Sequence, residues 1–335
     1  MKLLNKKQCA VVFLAVFMIL AVLPGCGQDA EVTPERKISI VTTIFPQYDW
    51  VREIIGEKAD NFELTILVDS VVDFHSFQPS VSDIAKISAS DLFIYVGGHS
   101  DDWVENALRQ ATNPGLTAIN LVEELGDAIK IERLTEGMEH YCEDEECEDD
   151  HGEVAELHEE EHVWTSLRNT KILCEAIAEV IIKLDPANED VYRNNLGAYI
   201  EKLAALDARY QEMADAAGGN TLVFGDRFPF LYLMDDYGIN YYAAFSGCSA
   251  ETEASFSTVI ILARKMDEYN LGNIMVVENA NRSIAETIIG NTRDKDQQIL
   301  ALHDFKAITS NDIRNGITYL SIMESNLEVL REALG

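Results

Sequence analysis

Asp91-Leu92-Phe93-Ile94-Tyr95-Val96-Gly97-Gly98 is the stretch that decides the fold. It is a short apolar run closed by a glycine pair, which reads as a strand leaving a sheet. A helical pattern follows over Asp101–Ala111, and a further strand over Leu116–Leu121. The same alternation extends upstream. Lys37–Phe45 is β-rich, Asp49–Ile55 is helical and stops at Gly56, and Phe62–Val68 is a strand. Ser80, three residues before Asp83, caps a helix reaching Ile87. Strand–helix alternation at this spacing implies parallel βαβ units and a sheet covered by helices.

Downstream, an acidic run interrupts the alternation, and helix resumes over Trp164–Leu184. Pro186 breaks it. A second long helical stretch spans Asn188–Ala217, with Val191, Leu196, Ile200, Leu203, Leu206, Tyr210 and Met213 at helical spacing, and Gly218-Gly219 ends it. Strands then recur at Leu222–Phe224, Asn240–Phe245, Asn273–Val277 and Gln298–Leu302, and a last helix spans Asp312–Leu334. The expected architecture is α/β. It has two lobes, each a parallel sheet flanked by helices, joined by a long rigid helix. In residues it divides into an N-terminal lobe (37–135), an acidic His-containing loop (136–161), a helix completing that lobe (162–187), the connecting helix (188–217) and a C-terminal lobe (218–335).

The chain has 335 residues, 47% of them apolar, which excludes global disorder. It carries 26 basic against 58 acidic side chains, a formal charge of -32. Such a surface repels phosphate backbones and attracts cations, so nucleic acid is not an expected partner. Residues 136–161 alone hold 14 Asp/Glu and three His with no Lys or Arg. Without them the charge is -18, acidic but not extreme. Fourteen acids without counter-charge cannot pack, so this run reads as solvated.

Lys2, Lys6 and Lys7 precede an apolar run from Ala10 to Leu23, too short for a comfortable membrane span. The run ends in Leu23-Pro24-Gly25-Cys26. A small residue before a Cys fits the signal-peptidase site of bacterial lipoproteins, with residues 1–25 removed, Cys26 carrying the lipid and 26–36 forming a linker. Cys142 and Cys147 can bridge or bind metal; Cys174 falls on an apolar helix face and reads as core.

Four side chains stand at positions where chemistry collects. His75 lies in the loop Val72-Asp73-Phe74-His75-Ser76-Phe77-Gln78-Pro79, beyond the carboxyl end of a strand. Ligands of open α/β sheets bind at that edge. His162 ends the acidic run and opens a helix; Asp226 and Glu278 each follow a strand of the second lobe. Two imidazoles and two carboxylates converging on one crevice make a divalent metal site. No Gly-x-Ser-x-Gly elbow or phosphate-binding glycine loop is present, and the His-Glu-x-x-His string His158-Glu159-Glu160-Glu161-His162 falls in the acidic run before the helix resumes at Trp164 rather than on a helix, so an enzyme is not expected.

Val41-Thr42-Thr43-Ile44-Phe45-Pro46-Gln47-Tyr48-Asp49-Trp50, Phe74-His75-Ser76-Phe77-Gln78-Pro79-Ser80-Val81-Ser82-Asp83-Ile84 and Glu161-His162-Val163-Trp164-Thr165-Ser166 resemble the zinc/manganese solute-binding lipoproteins of bacterial ABC metal importers (the cluster A-I family). The resemblance covers residues 37–334. It implies two α/β lobes, a rigid connecting helix and one metal held between the lobes. It implies ligation by His75, His162 and Glu278, with Asp226 as a further candidate, and auxiliary capture by His140, His151 and His158. One departure stands out. At the family's third ligand His this chain has Gly225, in Phe224-Gly225-Asp226-Arg227-Phe228, and Glu251 and Glu253 are other nearby carboxylates. The histidine-bearing acidic insert is the feature of zinc-type members, so Zn2+ is the expected metal and Mn2+ the alternative. The expected function is an extracytoplasmic, lipid-anchored monomer that captures zinc and delivers it to an ABC importer permease. The rival from another class is a surface adhesin or structural lipoprotein.

Overall fold

A computed structural model describes residues 36–68, 74–138, 158–247 and 253–335. The leader and Cys26, the pair Cys142 and Cys147, His140, His151, Cys248 and Glu251 lie outside the described residues.

Lys37–Gly335 is one compact unit holding two sheets of identical design. In the first, β1 (Ile38–Thr42) leads through α1 (Phe45–Ile55) to β2 (Phe62–Ile66). The chain continues through α2 (Val81–Ala89), β3 (Leu92–Tyr95), α3 (Val104–Leu108), β4 (Thr117–Asn120) and α4 (Leu121–Leu125). The strands run parallel in the order β2-β1-β3-β4. Then come α5 (Leu167–Leu184) and α6 (Glu189–Ala216), followed by β5 (Thr221–Phe228), α7 (Leu231–Asp236), β6 (Asn240–Ser246) and α8 (Phe256–Glu268). The chain closes with β7 (Asn273–Val277), α9 (Ser283–Asn291), β8 (Gln298–Leu302), α10 (Ser310–Arg314) and α11 (Tyr319–Leu334). The second sheet, β6-β5-β7-β8, repeats the parallel order of the first. In each sheet the chain winds one way from the first strand and back the other, so a crevice opens at the carboxyl ends of β1/β3 and of β5/β7.

Local sequence explains the boundaries. Ser80 accepts from Asp83 N and Asp83 bonds back to Ser80 N, the capping box expected for α2. Ser166 caps α5 by accepting from Asn169 N, so the regular helix starts there, after a 3-10 turn over Val163–Thr165. The last helical stretch is two helices, not one. Gly316 takes φ +90 and turns the chain between α10 and α11, and Thr318 caps the second.

The connecting helix α6 is 28 residues long and buries only a stripe, Tyr192, Tyr199, Leu203, Leu206, Tyr210 and Met213. Steps of three, four and seven residues keep that stripe on one side. It packs on α1, α5 and α11, where Tyr210 OH donates to Met323 O at 2.6 Å. Cys174 is fully buried on α5, as its helix face suggests. Among the described residues no helix is long and apolar enough to cross a membrane.

Side chains bolt the sheets' surroundings together. Tyr319 N donates to Asp49 Oδ2 at 2.8 Å, Tyr319 OH to Trp164 O at 2.8 Å, and Trp164 Nε1 to Asp304 O at 3.1 Å. Tyr232 OH donates to Glu160 O at 2.9 Å. The carboxyl ends of both sheets are thereby fixed around residues 160–164.

Candidate metal centre

The centre is built on loops leaving strand ends. His75 sits in a 3-10 turn, Phe74–Ser76, between β2 and α2, and His162 in the segment that enters α5. Their Nε2 atoms face each other at 3.1 Å. Phe74 lies under both rings, with centroids 3.9 Å from His75 and 5.9 Å from His162, and Trp164 backs His162 at 5.2 Å. His162 is fully buried.

Buried carboxylates fix the protonation of both rings. Glu160 Oε1 accepts from His162 N at 2.9 Å and also from His162 Nδ1. The His75 Nδ1–H donates to Ser100 Oγ at 2.7 Å, and Ser100 Oγ donates in turn to Glu161 Oε2. Ser100 N also donates to Glu161 Oε1, at 3.0 Å. With both Nδ1 atoms carrying protons, each Nε2 presents a lone pair, and the two lone pairs point at the same place. This is the carboxylate-backed imidazole arrangement that raises ligand basicity and holds ring orientation. Two such nitrogens repel unless a cation lies between them. A tetrahedral zinc with Zn–N of about 2.0–2.1 Å needs its nitrogens roughly 3.3 Å apart, close to the observed spacing.

Electrostatics agree. Burial holds His162 well below the usual imidazole range, and a proton added to neighbouring His75 would push it the same way, so it stays neutral and able to ligate. Burial raises Glu160 to about 7, against the opposing His162 amide. Burial also pushes Glu161 upward, but hydrogen bonds from His75 and Ser100 outweigh it and hold that carboxyl below its ordinary value.

Glu160 and Glu161 correct the expectation for the acidic run. Residues 136–161 were read as uniformly solvated, yet Glu160 and Glu161 are 1% and 2% exposed. At the other end, Glu136 pairs with Lys265 at 2.6 Å and Met138 is buried. Gly98, at φ +73, supplies the room for Glu161. A Cβ there would lie 2.5 Å from Glu161 Oε1. His158 is exposed, its ring stacked on His99 with centroids 6.0 Å apart.

The second sheet's candidates are placed differently. Glu278 follows β7 and its Oε2 lies 3.4 Å from His303 Nε2, just past β8. Asp226 spends both oxygens on main-chain amides, Oδ1 accepting from Arg227 N at 2.8 Å and Oδ2 from Val277 N at 3.0 Å. It brackets β5 to β7 where the β5–β6 register shifts between Phe224 and Arg227. Burial raises its pKa, with those two amides opposing. Gly225 points away from the crevice: a Cβ there would meet Ala285 Cα at 2.7 Å and Cβ at 2.8 Å. The residue is glycine because α9 packs directly on β5, so no side chain at 225 could ligate. Among the described residues, no three His, Cys, Asp or Glu side chains gather in metal-holding geometry. The structure therefore brings His75 and His162 together, and leaves Glu278 with His303.

A family model described as zinc-uptake complex component A, periplasmic, matches residues 40–333. The chain belongs to this family. It is 30% identical over 311 residues to the zinc-binding lipoprotein AdcA of Streptococcus pneumoniae, covering 92% of this chain but 58% of that protein. It is 28% identical to the high-affinity zinc uptake system protein ZnuA of Bacillus subtilis, across 96% of both chains. Among solved structures, the Zn(II)-bound ZnuA-like domain of Streptococcus pneumoniae AdcA superposes with a TM-score of 0.67 at 26% identity, covering 89% of this chain and 99% of that one. The metal-dependent lipoprotein YcdH of Bacillus subtilis gives 0.70 at 25% identity, covering 89% and 99%. The two-sheet architecture read from the sequence is thus that of the family, a family of zinc-uptake components.

Proposed function

We propose that the chain is an extracytoplasmic zinc receptor that captures the ion between His75 and His162 and delivers it to an ABC importer permease, anchored to the membrane as a monomer through lipid on Cys26. The observation that carries this reading is the pair of Nε2 atoms facing each other at 3.1 Å, with each ring's Nδ1 turned to a buried carboxylate, directly for His162 and through Ser100 for His75. Glu278 supplies the oxygen ligand from the second sheet, and Asp226, engaged by two amides, is left out of the ligand set.

The spacing suits a tetrahedral zinc or a pair of adjacent sites on an octahedral manganese. The choice of zinc rests on the relatives named for it and on the affinity order of first-row ions, which places zinc above manganese at mixed nitrogen and oxygen donors. Bound metal lowers the energy of the folded chain by cancelling the facing lone pairs, so binding and order are linked.

The test is a zinc titration of the purified mature protein against a competing chelator. One high-affinity equivalent is expected, weakened at least a hundredfold in His75→Ala and in His162→Ala. Parent-like affinity in both variants would exclude this centre as the receptor site.

A further inference from the structure

His303 lies outside the set of residues that the sequence marks for metal. It follows β8 as Glu278 follows β7, and the ladder continues past both strand ends, with Glu278 N donating to Leu302 O at 2.8 Å. The imidazole and the carboxylate therefore emerge side by side at the crevice edge of the second sheet, with His303 Nε2 3.4 Å from Glu278 Oε2.

The histidine is held from several directions. Its main chain is clamped by Asn326, which accepts from His303 N and donates to His303 O, both at 2.9 Å. Its Nδ1 accepts from Phe305 N at 2.8 Å. A ring nitrogen that accepts carries no proton, so the neutral ring bears its proton on Nε2, facing Glu278. Burial keeps the ring below the ordinary imidazole range, with Glu278 opposing. The backbone is bent to make this arrangement: Asn279, next to Glu278, has φ +64, and Phe305 has φ +70. A phenylalanine in the left-handed region is uncommon, and such residues collect at functional sites.

This tautomer decides what His303 can do. Ligation through Nε2 would require moving the proton to Nδ1, against the amide of Phe305. The ring is therefore placed to donate to the carboxylate rather than to serve as a third imidazole ligand. We propose that His303 is a positioning residue for metal binding: its Nε2–H holds one oxygen of Glu278, which orients the carboxylate and leaves the other oxygen for the ion. The loop bearing it already touches the centre, since Asp304 O accepts from Trp164 Nε1, and Trp164 packs on His162. The inference rests on Glu278 being a zinc ligand, as proposed above.

Two substitutions separate the ring's contacts. His303→Asn keeps an acceptor for Phe305 N–H, so the loop stays held, but is too short to reach Glu278. His303→Gln reaches Glu278 with an amide N–H. Zinc affinity, measured by chelator competition, is expected to fall 10- to 100-fold in His303→Asn, the usual range for outer-shell partners, and less than fivefold in His303→Gln. In a Glu278→Gln background, His303→Asn is expected to cost nothing further, because the residue acts through that carboxylate. Parent affinity in His303→Asn, or an equal loss with and without Glu278, overturns the proposal. His75→Ala keeps the two levels apart. If it abolishes binding while His303→Asn does not weaken it, the receptor stands and only the role of His303 falls; if neither affects binding, the receptor reading falls as well.

Discussion

Replacing Glu160 by Gln separates what the buried carboxylate does for the metal from what it costs the fold. The amide has the same shape and keeps an oxygen for His162 N and Nδ1, so ring position and tautomer survive and the negative charge is lost. Outer-shell substitutions of this kind weaken metal binding about 10- to 100-fold, or roughly 1.4–2.7 kcal/mol. A simple charge estimate is larger. The lost charge is about 6 Å from the ion, which at an effective dielectric of 20 gives roughly 5 kcal/mol. The smaller range is expected, because a carboxyl raised to about 7 is already partly protonated in the metal-free protein near neutral pH.

Stability moves the other way. Burial lifts the Glu160 pKa from 4.5 to about 7, so the folded state holds a proton that the unfolded state releases. The stabilisation is fully present below pH 4.5 and is lost as pH rises through 7, by about 3 kcal/mol. Glu160→Gln has no such loss. In urea or thermal unfolding without metal, the variant should gain on the parent by about 3 kcal/mol between pH 4 and pH 8, equivalent to roughly 4–6 °C for a unit of this size. Weaker zinc binding together with a steeper-than-parent gain in stability at high pH is the signature. Zinc affinity within twofold of the parent, or a stability difference that stays flat with pH, would refute the reasoning.

Further expectations follow from single contacts. Gly247 lies against the centre, where a Cβ would stand 3.1 Å from His162 Cε1 and 3.0 Å from Phe228 O, so Gly247→Ala should tilt the ring and weaken zinc about fivefold, an off-rotamer cost of about 1 kcal/mol; unchanged affinity would show that the ring has slack. Asp49, 1% exposed, is raised to about 6 by burial against the opposing amide of Tyr319. Its stabilisation is present below pH 3.8 and lost as pH rises through 6, so Asp49→Asn should gain about 3 kcal/mol on the parent between pH 3.5 and pH 7 in urea titrations. Deleting residues 139–157, with ten acids and two histidines, should leave equilibrium zinc affinity unchanged while slowing stopped-flow capture and flattening its salt dependence; identical rates would make the run a spacer.

The sheets were legible because each strand is a short apolar run at a fixed distance from a helical one, and β7 and β8 fall on the residues read from the pattern. The break between α10 and α11 was not, since Thr318 as a cap and Gly316 as a turn lie inside an otherwise continuous helical pattern. At the centre, His75 and His162 could be singled out by their places after strand and before helix. Ser100, Glu160 and Glu161 could not. Ser100 looks like any loop serine until the chain brings Glu161, 61 residues away, against it. The two glutamates were hidden by their own neighbours, because a run of fourteen acids reads as solvent-facing and gives no sign that its last two turn inward. Asp226 is the reverse case: its linear position suggested ligation, and the structure engages its two oxygens with the amides of Arg227 and Val277.

These placements explain why Glu160 and Glu161, in so acidic a run, sit where water cannot reach. A solvated carboxylate beside an imidazole would exchange its partner for water and leave the tautomer free. Enclosed by Tyr232, Trp164 and the Gly97-Gly98 turn, Glu160 and Glu161 have no alternative to the rings they hold, directly or through Ser100. Desolvation of Glu160 makes the metal-free state less stable as pH rises, and the Nδ1 hydrogen bonds of both rings turn their Nε2 atoms toward a shared cation position. Selectivity between protons and metal then comes from His162, whose burial keeps it neutral where an exposed histidine would begin to titrate. A site arranged in this way takes up the ion without first having to expel a proton from that ring.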